Sequence, residues 1–272
     1  MRYYALSDFN GYVGQLRATW MQIEMHASRE DRIVFCGNYI GDGPDPLGTL
    51  LEVMRLDWLD DRVVVLGGAQ ESGFHTWADG MPDYSRNPWD PAADDFLILR
   101  KMFSSGRVDQ WIAALGLSEE PAWDSRTLQQ SVFAALNAVD ERLDGWLWER
   151  GVLYETPLQI FVPAGLDDEA GEYWRYPDDS YVFCQKDVPD TGPFEKDVIA
   201  GTFPGSHPML ADDPDYRGVY WDGASHFYIN GDVARTGEIP VLIYDTATGN
   251  YSTFAWERET AWREVVIAEG RR

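Results

Sequence analysis

The chain has 272 residues, 44% of them hydrophobic and 14% aromatic, and a formal net charge of −24. That composition supports one large folded unit and excludes a disordered chain. The negative field repels nucleic acid and anionic lipid. No apolar run approaches the ~20 residues of a membrane helix, and the opening MRYYALSDFNG lacks the apolar stretch of a secretion signal.

Residues 2–6 are strand-like. Residues 12–25 carry Val13, Leu16, Trp20 and Ile23 at helical spacing behind a Gly11 turn. Residues 33–36 form a second apolar strand, and 47–59 a second amphipathic helix with Leu47, Leu50, Leu51, Met54 and Trp58 on one face. Residues 63–66 are a third strand. Short, nearly all-apolar strands alternating with helices predict a buried sheet covered by helices. Residues 72–150 change character: 94–103, 108–115 and 127–150 read as helices, a mostly helical elaboration. Strands return at 158–162, 181–184 and 198–200, and the tail from 226 alternates like antiparallel strands joined by Gly-containing turns. With no repeat and no linker, the pattern predicts a single α/β domain over 1–272. Cys36 and Cys184 both lie in apolar runs, IVFC and YVFC. Two core thiols in a chain of this length fit a reducing cytoplasm rather than a disulfide framework.

Three loops follow the first three strands: SDFNG (7–11), GNYIGDGPD (37–45) and GGAQE (67–71). Further on come FVPAGLDD (161–168), YVFCQKD (181–187) and VIAGTFP (198–204). Glycine at a strand end lets backbone approach a ligand, so such loops commonly build sites. In order and spacing these six stretches resemble the calcineurin-like metallophosphoesterases, most of all the bacterial and phage phosphoprotein phosphatases. That family has S-D-x-H-G, G-D-x-x-D-R-G-P-D, G-N-H-E, F-V-H-A-G-L-D-P, W-I-R-D and V-V-F-G-H-T-P at the corresponding places. The resemblance implies a sandwich of mixed β sheets flanked by helices, with a helical insertion at about 72–150.

It also implies where two metals would bind, and there the sequence departs. The first metal's positions are Asp8, Asn10 and the bridging Asn38; the second's are Asn38, Ala69, Pro163 and Thr202. The general-acid histidine is replaced by Gln70, and the two phosphate-binding arginines by Asp42 and Gln185. Asp8 alone is retained. Two-metal hydrolysis needs metals to make hydroxide at neutral pH and to stabilise charge on the phosphoryl group. Lowering the pKa of water from about 15.7 to about 7 is worth roughly 12 kcal/mol. Ala69 and Pro163 offer no donor atom, and Asn10 and Asn38 are neutral and poor ligands for transition metals.

The sequence therefore predicts a pseudophosphatase without catalytic residues or cofactor, acting by binding or regulation on another protein with a basic surface. Two alternatives stay open. Asp8, Asn10, Asn38 and Asp42, with Asp45 nearby, are oxygen ligands that suit calcium or magnesium, as in a divergent phosphoesterase using one hard cation. The helical elaboration, rich in tryptophan at 111, 123, 146 and 148, could instead serve assembly. His26, His75, His207 and His226 fall on no ligand position, although a register slip would bring His207 toward Thr202. Glu71 has a supporting place only. With Asp8, Asp42, Glu71 and Asp167 around it, the pocket should be net negative and exclude phosphate.

Overall fold

The computed structural model describes residues 1–78, 134, 136–177, 180–257 and 261–270. Two mixed sheets face each other. The first has six strands in the order β11-β10-β9-β1-β2-β3: β1 (Arg2–Leu6), β2 (Arg32–Phe35), β3 (Val63–Val65), β9 (Leu242–Asp245), β10 (Asn250–Glu257) and β11 (Ala261–Ala268). β1, β2 and β3 run parallel, and β9 joins β1 antiparallel with Tyr3 opposite Tyr244. The second sheet has five strands in the order β4-β5-β6-β8-β7: β4 (Tyr154–Glu155), β5 (Gln159–Val162), β6 (Asp197–Pro204), β7 (Tyr220–Trp221) and β8 (His226–Asn230).

The period of two along each strand sorts side chains into layers. Ala5, Val34, Phe161, Ile199, Phe227 and Tyr251 meet between the sheets. On the other side of the first sheet, Tyr4, Leu6, Ile33 and Phe35 pack on α1 (Val13–Glu24) and α2 (Pro46–Leu59) through Leu16, Ile23, Leu50 and Val53. On the far side of the second sheet, Ile160, Val162, Val198 and Tyr228 are covered by Leu166, Trp174 and Phe183. This is the flanked sandwich that the resemblance implies.

Two elements differ from expectation. Residues 181–184 are not a strand. Ser180–Phe183 is a 3₁₀ turn that buries Phe183 and Cys184 over the second sheet, with the Phe183 carbonyl accepting from Ala164 N at 2.9 Å. A four-residue apolar run fits a buried turn as well as a strand, and periodicity does not separate them. The third loop is also shorter than expected. α3 (Ala69–Ala78) starts directly after Gly68, so Ala69, Gln70 and Glu71 form its first turn. The helices expected at 94–103 and 108–115 lie outside the described residues, as do 127–133 and 135 of the helix expected at 127–150. Within that last stretch α4 (Leu143–Trp148) is helical and packs Leu143, Trp146 and Leu147 into the core beside α2. A further turn of helix, α5 (Val233–Thr236), follows β8.

Candidate functional site

Five of the six motif stretches lie at the carboxyl ends of β1, β2, β3, β5 and β6, and the sixth, 181–187, reaches them through Phe183 and Cys184, whose Sγ lies 3.6 Å from the Gly67 carbonyl. Their loops turn sharply enough to leave ordinary backbone conformations. Among the described residues, five non-glycine residues have left-handed φ, and four of them are Asp8 (56°), Asn10 (46°), Asn38 (60°) and Thr202 (60°). All four are positions the resemblance assigns to metal. Asp and Asn tolerate this region, but a β-branched threonine does not adopt it readily. The backbone thus holds a site's geometry at some cost. The loops are also close-packed. A Cβ on Gly37 would meet Gly68, and one on Gly201 would collide with Ser7 Oγ, Asp8 Oδ2 and the Pro163 carbonyl.

What fills this geometry is a hydrogen-bond network centred on Asp8, which is 4% exposed. Asp8 Oδ2 accepts from Ser7 Oγ and from Thr202 N at 2.8 Å; Oδ1 accepts from Asn38 Nδ2 at 2.9 Å. Asn38 Nδ2 also lies 3.5 Å from Thr202 Oγ1, whose hydroxyl donates to the Pro163 carbonyl at 3.0 Å. Asn38 Oδ1 accepts from Gln70 N at 3.3 Å, which fixes the amide orientation. Asn10 Nδ2 donates to the Asp8 carbonyl at 3.1 Å, and Asn230 Nδ2 holds the Thr202 carbonyl at 2.7 Å. Burial pushes the Asp8 carboxyl up from 3.8 to about 6, against the pull of the Ser7, Thr202 and Asn38 donors.

Beneath this network sits a second buried carboxylate. Glu71 accepts four backbone N–H groups: Asn38 (2.9 Å), Tyr39 (2.7 Å), Ile40 (3.1 Å) and Gly68 (2.9 Å). It staples the second loop to the third. Burial raises its pKa and the four amides oppose the rise. Sequence reasoning gave Glu71 only a supporting place, and that is the place it has. Ser7 and Asn230 were missed; the Ser-Asp pair in SDFNG was the signal for Ser7, and Asn230 had none.

The remaining candidates are placed as follows. Asp42 and Asp167 are exposed, and Asp45 caps α2 by accepting from Gly48 N at 3.0 Å, with Pro46 in the first helical turn. Gln185 is exposed; its neighbour Lys186 donates to the Leu166 carbonyl at 2.8 Å and to Asp190 at 2.7 Å. Ala69 and Pro163 bring no side-chain donor atom to the site. His207 packs its ring on Phe203 at 5.2 Å and accepts from Met209 N at 3.3 Å. His226 is buried in a separate cluster, His26 packs against Phe254, and the side chain of His75 lies outside the described residues. Cys36 and Cys184 are buried, reduced thiols; burial and Asp8 push Cys36 up, and Cys184 Sγ lies 3.6 Å from the Gly67 carbonyl.

A transition-metal pair does not fit these residues. Both oxygens of Asp8 are taken by N–H and O–H donors, and the amide at the bridging position presents Nδ2, a donor, to the carboxylate where a metal would need a lone pair. A hard cation would require Asn38 to turn its oxygen inward and give up Gln70 N.

No protein-family model matches this sequence, and no curated protein matches it. Solved structures do. A mutant form of a cold-active protein tyrosine phosphatase is 10% identical over 93% of this chain and 77% of its own, with a TM-score of 0.58. The cold-active protein-tyrosine phosphatase of a psychrophile Shewanella sp. aligns over the same shares with a TM-score of 0.54. A metallophosphoesterase from Sphaerobacter thermophilus is 15% identical over 93% and 86%, with a TM-score of 0.43. The two mixed sheets flanked by helices are the fold that this chain shares with the tyrosine phosphatase structures. At these identities the likeness to the tyrosine phosphatases is one of fold.

Proposed function

We propose that this protein is a pseudophosphatase: a phosphoesterase fold whose catalytic centre has become a hydrogen-bonded plug around Asp8, and which acts by binding. The observation that carries the reading is the Asn38 side chain. It occupies the bridging-ligand position and donates to Asp8, so an amide N–H stands where a cation's charge would be needed. Such a site lacks the means to generate hydroxide or to neutralise a phosphoryl group. The absent arginines support the same reading, since Asp42 and Gln185 offer a phosphate nothing bidentate. The strongly acidic chain favours a partner with a basic contacting surface, in a reducing compartment such as the cytoplasm.

The test is hydrolysis of an aryl phosphate with manganese, magnesium or calcium added. The expected rate equals that of buffer. Turnover that disappears in Asp8→Ala would establish the single-cation phosphoesterase instead. Restoring family residues one at a time should also give no activity, because the roles act as a unit. The smallest coherent set is Asn10→His, Asn38→Asp, Asp42→Arg, Ala69→Asn, Gln70→His, Pro163→His and Thr202→His together.

A further inference from the structure

A second buried polar cluster lies on the outer side of the five-stranded sheet. At its centre is His226, the first residue of β8, only 2% exposed. Nδ1 stands 3.1 Å from the Gly192 carbonyl and 3.3 Å from Asp222 Oδ2. Nε2 stands 3.0 Å from Asp168 Oδ2 in an ion-pair contact without a well-directed hydrogen bond. All three neighbours are acceptors. A neutral imidazole carries one N–H and one lone pair, so it cannot satisfy both sides of the ring; the doubly protonated form can.

Asp222 is fixed independently. Its oxygens accept from Gly192 N (2.7 Å), Ala224 N (2.7 Å) and His226 N (3.0 Å). Asp168 is not. It opens the 3₁₀ segment Asp168–Arg175, and its Oδ1 is buried without a hydrogen bond. The other charged and titratable groups facing the ring are Asp190, paired with Lys186, and Tyr228, whose hydroxyl donates to the Asp190 carbonyl at 2.8 Å. The far end of the segment is anchored by Trp174 Nε1 on Glu195 at 2.9 Å and Arg175 on Glu155 at 2.8 Å. Between the two ends Gly171 breaks the helical path at φ 57°, ψ −129°.

We propose that His226 is a proton-controlled latch on residues 166–171: as imidazolium it holds Asp168, and on losing the Nε2 proton it lets Asp168 go and frees the segment about Gly171. Nδ1 keeps its proton because both of its neighbours accept, so Nε2 is the nitrogen that turns a lone pair toward a carboxylate. The Asp168 and Asp222 carboxylates raise the His226 pKa above 6.5 against the lowering effect of burial, which puts the transition on the neutral-to-alkaline side. The latch matters to the candidate site because the freed residues continue from the Pro163 loop, on which Thr202 leans.

Hydrogen exchange of the full-length chain, read on peptides spanning 164–173 and corrected for intrinsic rates, tests this between pH 6 and pH 9. The latch predicts exchange about tenfold faster at the alkaline end, the effect of losing one charge-assisted contact. His226→Gln should exchange fast at both ends. Should that variant fail to fold, Asp168→Asn should also abolish the step while lowering the His226 titration midpoint seen by NMR. An unchanged rate across the range in the wild type, or a step that persists in either variant, overturns the proposal.

Discussion

The Asp8 network and the His226 cluster bury charge in opposite ways. Around Asp8 the partners are neutral: a hydroxyl, an amide and a backbone N–H. The carboxylate is solvated but not balanced, and its pKa rises to about 6. Around His226 the partners are carboxylates, and the buried group is pushed toward its charged form. The Asp8 site holds its carboxylate with dipoles, whereas the His226 cluster in the same chain uses opposite charge. Glu71 lies between these cases: a carboxylate held by four fixed backbone N–H groups.

The difference can be broken at its foundation first. Glu71→Ala leaves four buried amides without an acceptor, and urea unfolding should show a loss of about 4 kcal/mol or more. A loss near 1 kcal/mol would mean the loops are not stapled as described. Asp8→Asn comes next, and its effect depends on pH. A carboxyl whose folded pKa is raised contributes stability that is complete below the unfolded value, near 4, and lost as pH rises through about 6. Relative to the variant, the wild type should lose up to about 3 kcal/mol between pH 4 and pH 7. A flat difference curve would show Asp8 to be an ordinary carboxylate. His226→Gln should give a smaller curve in a higher window. A raised histidine contributes fully below 6.5 and loses its contribution above that value, so the wild type should lose stability relative to the variant as pH rises above 6.5. The smallest contrast separates strain from hydrogen bonding. Asn38→Ala loses the Asp8 and Gln70 contacts and also puts a Cβ-bearing residue at φ 60°; Asn38→Gly loses the contacts alone. The two should differ by about 1 kcal/mol, with glycine the milder.

Much of the fold could be read from the sequence because β1, β2 and β3 are buried on both faces and read as unbroken apolar runs. The glycine-rich stretches behind them gave the loops. YVFC failed because a short apolar run carries no periodicity, and what makes it a turn is packing under Phe183 and a bond to Ala164 from elsewhere in the chain. The candidate site was legible as a set of positions but not as a network. That Asn38 presents its NH₂ rather than its oxygen depends on Gln70 N, 32 residues away in sequence. The His226 cluster left no trace in sequence, since Asp168 and Gly192 reach it from 58 and 34 positions away and only Asp222 is local.

The most direct test of the central claim is a calorimetric titration of chelator-treated protein with manganese, alongside elemental analysis of the protein as purified. A centre closed by Asn38, Ser7 and Thr202 donors predicts no stoichiometric metal and no binding isotherm. Saturable binding of two metal ions per chain, lost in Asp8→Ala, would contradict it.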